Sequence, residues 1–513
     1  MGRTFRMIFR VDSSEEIGTG HVIRCLTLAE RLRQQSVVSL FVCRQLNGNL
    51  IEAIESRGFP VHRLPKPLPD WQASEGLPKH AAWLGVPWQQ DAEETLNVID
   101  GLPSPDWVIV DHYGLDARWE AKIRSKGVKI FVIDDLADRL HDCDVLLDQN
   151  LVAGMNERYL ELVPKKATVL SGPAYALLHN DYARLRPRIV PREGSVRRLL
   201  ISFGGIDRDN LTEAAVGALL DLDAPDLEAD IILSSASSQF QRVAALVAKN
   251  DRLRLHDRVP SLAPFMLAAD LAIGAGGTTT WERLCVGLPA LVVTVADNQR
   301  PIATELAKQE LIHWIGDADG VDQAQIKRAL EGIVSSESDA DWSSRAMSLV
   351  DGRGADRVCA VLLAHSGMPF SIRHAELRDE NLLLEWINDP VTRSNAFDPQ
   401  TIMPDEHRSW FRSRLRNPDG CVLFIIETSA SVPFGQVRFD RRGEAWEISY
   451  AVAPDFRGRG AGRGMLAAAI ESFLQCHANA ALFGQVKIDN PASSRIFESL
   501  GFVARKGDLD RLL

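Results

Sequence analysis

The chain has 513 residues, which at about 100–200 residues per domain predicts roughly three domains. Hydrophobic residues make up 45% and charged residues 25%, the mix of an ordinary globular protein, so collagen-like, disordered and disulfide-scaffold classes are excluded. Acidic residues outnumber basic ones by 69 to 58, and the net charge of -11 argues against a nucleic-acid partner.

The cysteines and the apolar runs indicate the cellular compartment that we expect for the protein. Its seven cysteines are scattered and form no CxxC pair or Cys/His cluster with zinc spacing, which predicts free thiols and no metal site. No apolar run approaches the ~18 residues that cross a membrane, and the N-terminus carries no signal-peptide pattern. We therefore expect a cytoplasmic protein with no stable membrane insertion, and the oligomeric state stays open.

Short apolar strands alternate with helices through the first part of the chain. Strands are predicted at 6–11, 37–43, 107–111, 129–135, 198–205, 229–235, 270–277 and 290–297. This alternation predicts an α/β architecture with two doubly wound, Rossmann-like parallel sheets. The segment RLRPRIVPREGS is rich in proline and charge and marks a boundary, which gives domains at 1–185 and 186–365.

The pattern changes after residue 365, where AHSGMPF is predicted to be a linker. The segments CVLFIIE, FGQVRFD and WEISYAV then follow one another as strands with short connections, which is typical of antiparallel pairing. A glycine-rich turn, a long helix, another strand and a final helix come after them. We predict a third domain of α+β type at residues 370–513.

The loop after the first strand contains the first candidate site. Gly18 and Gly20 allow the backbone to approach a ligand, and His21 falls in the first turn of the following helix. Ligands of doubly wound sheets bind at the carboxyl ends of the strands, and the positive end of a helix favours a neutral imidazole. His21 is therefore a candidate general base, with a capping or packing histidine as the alternative.

A second polar group follows the strand WVIVD. Asp111, His112 and Tyr113 lie at its carboxyl end, where they reach the same edge of the sheet. Tyr113 is a candidate for binding a sugar hydroxyl or the attacking water. The alternative is an exposed polar loop.

The stretch GAGGTTTWERLCVGLPALVVTVADNQ predicts a phosphate site. Gly276 and Gly277 end a buried strand, and Thr278 and Thr279 open a helix, so bare amides and hydroxyls meet at a helix N-terminus. Glu282 lies one turn further and could accept hydrogen bonds from ribose. The alternative is a capping box between Thr279 and Glu282, which needs no ligand.

Two further loops are predicted at the same edge. Asn298 and Gln299 follow the next strand and could reach sugar substituents. Gly204 and Gly205, in SFGGIDRDN, follow the strand that opens the second sheet.

These motifs together resemble the UDP-sugar hydrolase family of pseudaminic acid biosynthesis, which has the two-domain GT-B architecture. The resemblance covers about residues 5–345 and rests on DSSxxIGxGHxxRCLTLA, VDHYGLD, SFGGxDxxN and the glycine–threonine stretch. It implies that His21 activates a water that displaces UDP from a 2,4-diacetamido-2,4,6-trideoxy-altrose. It further implies UDP binding at Gly276, Gly277, Thr278, Thr279 and Glu282, and no metal.

The third domain contains a candidate acyl-CoA turn. The segment from the strand end to the following helix comprises Val452, Arg457, Gly458, Arg459, Gly460, Ala461 and Gly462. Its pattern R-G-x-G-x-G resembles the acetyl-CoA loop of GNAT N-acetyltransferases, which implies acetyl-CoA as co-substrate and places Asn490 near the CoA arm. The alternatives are a glycine-rich helix start and, for Asn490, an N-cap.

One residue departs from the GNAT pattern. Many members carry a tyrosine that protonates the departing thiolate where this chain has Phe497, so another donor, water or a weakened activity is implied. The placement of six earlier residues resembles acetyltransferases that act on 4-amino UDP-sugars, with surface or packing roles as alternatives. These residues are Trp386, Asn388, Asp389, Arg393, His407 and Trp410.

The combined hypothesis is a bifunctional enzyme. The C-terminal domain would acetylate the 4-amine of a UDP-aminosugar, and the first two domains would then hydrolyse the product to UDP and free sugar. Two alternatives stay open: a GT-B glycosyltransferase that uses a UDP-sugar donor, and a hydrolase whose GNAT domain is only a CoA-binding appendage.

Overall fold

The computed structural model describes residues 4–68, 71–204, 206–257, 259–335, 340–365, 371–428, 432–457, 462–503, 505–506 and 510–512. The chain divides into two compact units, Met1–Ala355 and Asp356–Leu513. No described helix is both long and apolar enough to span a membrane.

The first sheet is parallel throughout and has the order β3-β2-β1-β4-β5-β6-β7. Its strands are β1 (Arg6–Val11), β2 (Val38–Arg44), β3 (Val61–Leu64), β4 (Trp107–Asp111), β5 (Lys129–Ile133), β6 (Val145–Asp148) and β7 (Thr168–Ser171). Both faces are covered, so the inner strand β4 is buried along its whole length, as its apolar run WVIVD predicts.

Four helices connect the strands of the first sheet: α1 (Gly20–Arg33), α2 (Ile51–Ser56), α3 (Trp88–Asp100) and α4 (Ala117–Arg124). Trp119 and Ile123 of α4 pack with Val108 and Ile130 of the sheet in one buried apolar cluster. Asp116 caps α4 by accepting a hydrogen bond from the Arg118 amide at 2.9 Å.

The second sheet is also parallel and has the order β10-β9-β8-β11-β12-β13. Its strands are β8 (Arg198–Ser202), β9 (Glu228–Ile232), β10 (Leu253–His256), β11 (Leu271–Ala275), β12 (Ala290–Thr294) and β13 (His313–Asp317). The helices are α5 (Asn180–Leu185), α6 (Leu211–Leu220), α7 (Phe240–Val247), α8 (Ala263–Ala268), α9 (Thr279–Cys285), α10 (Arg300–Lys308), α11 (Gln323–Val334) and α12 (Ala340–Leu349).

Separate apolar clusters cover the two faces of the second sheet. One contains Val216 of α6 and Leu330 of α11 against Ile201. The other contains Leu284 of α9 and Leu306 of α10. The two Rossmann-like sheets of the predicted GT-B-type architecture are therefore confirmed.

The second unit has one mixed sheet of order β14-β15-β16-β17-β18-β20-β19. Its strands are β14 (Ser371–His374), β15 (Cys421–Glu427), β16 (Pro433–Arg442), β17 (Ala445–Val452), β18 (Ala481–Lys487), β19 (Arg505–Lys506) and β20 (Asp510–Leu512). Helix α13 (Gly354–His365) crosses the boundary between the two units, and the other helices of the second unit are α14 (Glu380–Asn388), α15 (Pro390–Asn395), α16 (Pro404–Leu415), α17 (Gly462–Cys476) and α18 (Pro491–Ser499). Neighbouring strands are antiparallel except β17 and β18, which confirms the predicted α+β class.

Candidate functional site

The first sheet reverses its strand order between β1 and β4, and the candidate base lies at that point. The two strands pair in parallel with Val11 opposite Asp111, so both end at the same level. The loop after β1 leads into α1, which begins at Gly20 and has His21 in its first turn. Crevices at such reversals are the usual ligand sites of doubly wound sheets.

His21 forms a hydrogen-bonded group with Asp111 and Arg24. The His21 Nδ1 atom lies 2.5 Å from Oδ1 of Asp111. Arg24 donates to both carboxylate oxygens of Asp111, each time at 2.6 Å. An ionised carboxylate only accepts hydrogen bonds, so the short contact to Asp111 favours a proton on Nδ1 of His21, although Arg24 Nη2 also lies 3.2 Å from this atom. A neutral ring with that proton has the lone pair that a general base needs on Nε2.

Asp111 is fully buried and nevertheless remains ionised. Burial alone would raise the pKa of its carboxyl, but the Arg24 guanidinium and then His21 outweigh burial and hold the pKa well below its ordinary value. Arg24 also donates to Asp135 at 3.2 Å. His21 therefore has a charged orienting partner throughout the neutral pH range.

The other two residues of the predicted polar group separate from each other. The edge of the Tyr113 ring contacts the His21 ring at a centroid distance of 4.5 Å, and its hydroxyl donates to Asp135. His112 is buried on the opposite side, where its Nδ1 accepts from the Gly114 amide at 3.0 Å and its Nε2 lies 3.4 Å from Asp12. Tyr113 thus lies beside the candidate general base His21, whereas His112 packs in the protein interior.

The second sheet reverses its order between β8 and β11, and the glycine–threonine stretch lies there. Gly274 pairs with Ser202, and a side chain on Gly274 would collide with the Ser202 carbonyl and with the buried Arg283. A Cβ on Gly277 would meet only Gln299, at 3.8 Å. The close packing of the fold therefore requires glycine at position 274, whereas position 277 has room for a side chain.

The start of α9 differs from the capping-box alternative. Thr278 occupies the N-cap position, and no side chain caps the helix. Thr279 and Glu282 do not form the reciprocal pair that their spacing allows. The side chain of Thr278 is exposed, whereas Gly276 is buried and its amide donates to the Val293 carbonyl at 3.2 Å.

The other predicted residues of the second sheet surround this turn. Burial raises the pKa of Glu282 to about 7, and the nearby Tyr182 hydroxyl offsets part of this rise. Asn298 and Gln299 belong to the turn Asp297–Gln299, in which Gln299 accepts from the Val295 amide at 3.0 Å. The predicted residue Gly205 lies outside the described residues, and the neighbouring Gly204 has a φ of +97°.

Two contacts bring the two sheet edges together within the first unit. A Cβ on Gly20 would lie 4.0 Å from Cγ2 of Thr278. Lys79, from the segment before α3, lies 3.8 Å from Asp297. His21 and the glycine–threonine turn therefore border one cleft. Among the described residues, no group of three His, Cys, Asp or Glu side chains is arranged to hold a metal ion.

In the second unit, β17 and β18 separate after a short parallel pairing. Ala445–Ile448 pair with Ala481–Gly484, and no pairing joins the two strands beyond that point. The opening leads to Val452 and to the start of α17 at Gly462, whose Cβ would lie 3.1 Å from Ile496. Gly458, Arg459, Gly460 and Ala461, predicted to bind CoA, lie outside the described residues.

Two of the predicted CoA residues have partners inside the unit. Arg457 donates to Asp389, to Thr392 at 2.6 Å and to the Val452 carbonyl at 3.0 Å, so its guanidinium anchors the turn. Asn490 caps α18 by accepting from the Ser493 amide at 3.2 Å, as the alternative prediction had it. Its side-chain amino group is the part left to contact a ligand.

Phe497 is buried and its ring tip abuts the sheet. A Cβ on Gly484 would lie 2.5 Å from Cζ of Phe497, so the absence of a side chain at 484 makes room for this ring. The ring of Tyr450 lies beside it at 5.8 Å, and the Tyr450 hydroxyl bonds Ser493 at 2.9 Å. A hydroxyl on Phe497 would point into the β18 backbone.

The six residues that suggested a 4-amino UDP-sugar have structural partners. Asn388 exchanges two hydrogen bonds with the Ile402 backbone at 2.8 Å, and Arg393 donates to the Asp398 and Gln400 carbonyls. Asp389 caps α15. Buried or stacked positions are taken by the three remaining residues, which are Trp386, His407 and Trp410. Packing and hydrogen bonding account for five of these residues, whereas neither ring nitrogen of the buried His407 has a hydrogen-bond partner among the described residues.

Sequence reasoning did not identify several residues of the first cleft. Arg24 follows His21 by one helical turn, a spacing that puts both on one face and could have signalled it. Asp135 follows β5 at the same sheet edge. His80 and Trp83 come from the long segment between β3 and α3, which has no recognisable motif.

Comparisons with known proteins agree with this two-part organisation. Residues 370–503 match the family model of the acetyltransferase (GNAT) domain. The chain is 29% identical over 308 residues to UDP-2,4-diacetamido-2,4,6-trideoxy-beta-L-altropyranose hydrolase of Campylobacter jejuni, over 59% of this chain and 97% of that protein. It is 32% identical to the L-amino acid N-acyltransferase MnaT of Escherichia coli over 139 residues, 26% of this chain and 79% of that protein.

Among solved structures, Arabidopsis thaliana UGT89C1 complexed with UDP-L-rhamnose has a similar fold, with a TM-score of 0.51 and 12% identity over 70% of this chain and 99% of that one. The first part of the chain is therefore GT-B-like. Through its C-terminal domain the chain belongs to the acetyltransferase (GNAT) family.

Proposed function

We propose that the GT-B-like part of this enzyme hydrolyses a UDP-2,4-diacetamido-2,4,6-trideoxyhexose of the altrose type to UDP and free sugar. The observation that carries the proposal is the His21–Asp111–Arg24 group on one side of a cleft whose other side is the glycine–threonine turn. The similarity to the Campylobacter jejuni hydrolase supports the choice of reaction and substrate.

In the proposed reaction, His21 removes a proton from water through Nε2 while the water oxygen attacks the anomeric carbon. The bond from that carbon to the diphosphate oxygen breaks, and UDP leaves with its negative charge. Amides at Gly277–Thr279 stabilise the diphosphate at the N-terminus of α9, since unpaired N–H groups favour anions there, whereas the Gly276 amide already donates to the Val293 carbonyl at 3.2 Å. Asp111 and Arg24 are positioning residues that act on His21.

We propose that the GNAT domain acetylates the 4-amino group of the UDP-sugar precursor, using acetyl-CoA. The amine nitrogen attacks the thioester carbonyl, the carbon–sulfur bond breaks, and CoA leaves as the thiol after its sulfur takes a proton. The opening between β17 and β18 supports binding of an extended amide arm there, because strand edges that lack a partner offer free N–H and C=O groups. Acetylation would supply the substrate of the hydrolase.

Two reactions test the two proposed activities, and the first of them tests hydrolysis. The purified full-length protein is given the UDP-diacetamido sugar alone, and products are followed by mass spectrometry. Free sugar and UDP without any acceptor support hydrolysis. UDP release that requires an acceptor, with the sugar attached to it, would identify a glycosyltransferase instead.

A second reaction offers the 4-amino UDP-sugar and acetyl-CoA, with free thiol as the readout. Thiol release that depends on the sugar supports acetyl transfer. Acetyl-CoA binding with no thiol release would leave the domain as a CoA-binding appendage.

A further inference from the structure

A cluster of aromatic rings lies beside His21. Tyr113 contacts the His21 ring, and Trp83 stacks on Tyr113 at a centroid distance of 5.7 Å with an interplanar angle of 30°. His80 lies 4.3 Å from Trp83 and 5.7 Å from Tyr113. We call Tyr113, Trp83 and His80 the aromatic wall.

The segment that contributes His80 and Trp83 to the wall has contacts on both sides of the cleft. Trp83 donates from Nε1 to Glu16, in the loop before His21, at 3.1 Å. The His80 carbonyl lies so close to Gly114 that a Cβ there would be 2.8 Å away. Lys79 reaches Asp297 of the second sheet edge. The wall therefore lies between the base and the turn that contains Asn298 and Gln299.

The wall is uncharged, and its strongest hydrogen-bonding groups already have partners. Tyr113 gives its hydroxyl proton to Asp135, and the indole N–H of Trp83 is taken by Glu16. Burial, and then the nearby Lys79, lower the pKa of His80, so this ring is neutral at pH 7. Trp83 and His80 are only half-buried, which leaves ring surface available to a ligand.

We infer that the aromatic wall receives the sugar ring and selects for an apolar sugar face, that of a deoxyhexose carrying acetamido groups. This inference rests on the proposed function, since it assumes that a UDP-sugar occupies the cleft. Methyl groups and C–H faces gain from contact with aromatic rings. A sugar hydroxyl pressed against the wall would lose its water without gaining a partner, which is unfavourable.

Binding experiments in a His21→Asn background test the inference, because the ligand is then consumed slowly. Calorimetry compares the affinities for UDP, for the UDP-diacetamido-trideoxy sugar and for UDP-N-acetylglucosamine, which keeps its 6-hydroxyl. Adding Trp83→Ala is expected to weaken binding of the diacetamido sugar nucleotide about 10-fold and binding of UDP itself by much less. Trp83→Phe is expected to retain most of the affinity.

The matched control is Trp88→Ala, which removes a half-buried indole that contacts Arg118 instead of His21. It should leave the ratio between sugar nucleotide and UDP affinities unchanged. If Trp83→Ala lowered the affinities for UDP and for the UDP-sugar equally, or lowered neither, the inferred role of the aromatic wall in sugar binding would be refuted. Failure of hydrolysis in the wild type would instead count against the proposed function, and the binding ratios would still report on Trp83.

Discussion

Replacing Asp111 by asparagine separates the orientation of the base from its presence. In the wild type, Asp111 accepts one bond from His21 and two from Arg24. Asparagine keeps the shape but has one oxygen acceptor and an amino group that can only donate. That amino group would favour the His21 tautomer with the proton on Nε2, which cannot accept a proton from water.

We expect UDP release by Asp111→Asn to fall about 100-fold or more, the usual contribution of a general base. The double variant with His21→Asn should be no slower than either single one, because residues that act as a unit are not additive. The substitution also removes the carboxylate that accepts two bonds from the buried Arg24 guanidinium, which then keeps only Asp135 at 3.2 Å as its counter-charge. Breaking such a pair costs about 3–5 kcal/mol of unfolding free energy.

Asp111→Asn combined with Arg24→Met distinguishes the loss of base orientation from the loss of stability. Removing both charges of a buried pair is often close to neutral for stability, so the melting temperature should recover in part while the rate stays low. Recovery is incomplete because Arg24→Met also removes the ion pair with Asp135, which keeps the Tyr113 hydroxyl as its partner. Initial rates of UDP release and thermal unfolding of the same preparations give the two readouts. A folded Asp111→Asn variant with near-normal turnover would refute the orienting role of this carboxylate.

Three further predictions concern other parts of the molecule. Gly277→Ala should weaken UDP binding in calorimetry without changing acetyl-CoA binding or the melting temperature, because its Cβ has room in the fold but not beside a diphosphate; unchanged UDP affinity would contradict the cradle. Burial raises the pKa of Asp148 to about 7 although Arg158 lies 2.5 Å from its carboxylate, so the contribution of this carboxyl to stability should fall as the pH rises from about 4 to about 7. Asp148→Asn should therefore gain stability relative to the wild type between pH 5 and pH 8 in thermal unfolding, and a constant difference would refute the shifted pKa. Phe497→Tyr should lower the free energy of unfolding by about 1–3 kcal/mol, because the phenol overpacks against Gly484, and it should not speed thiol release. Faster thiol release at an unchanged melting temperature would show that the phenol fits.

Most inner strands could be predicted from the sequence because their apolar runs are continuous, but the buried inner strand β6, whose run VLLD has only four residues, was not predicted. The runs WVIVD and CVLFIIE coincide with β4 and β15. The edge strands β3, β10 and β13 were not predicted, because they are short or half-exposed and lack a continuous apolar run. A strand with one solvated side carries mixed residues, and nothing local distinguishes it from a loop.

The candidate site was predictable where a single loop carries it. His21 and the glycine–threonine stretch each follow a strand, and both lie at reversals of strand order. The orienting partner of the base was not predictable as such, although Asp111 was singled out. Its contact with His21 depends on the pairing of Val11 with Asp111, and no local pattern encodes which strands become neighbours.

The spacing of His21 and Arg24 explains how one short stretch of helix can hold a working base. A buried carboxylate without a counter-charge would take up a proton and could no longer fix the imidazole by accepting its Nδ1–H. Arg24, one turn after His21, reaches the same carboxylate with two hydrogen bonds and keeps it ionised. Helix α1 therefore supplies both the base and the cation that keeps its partner charged, and β4 needs to supply only Asp111.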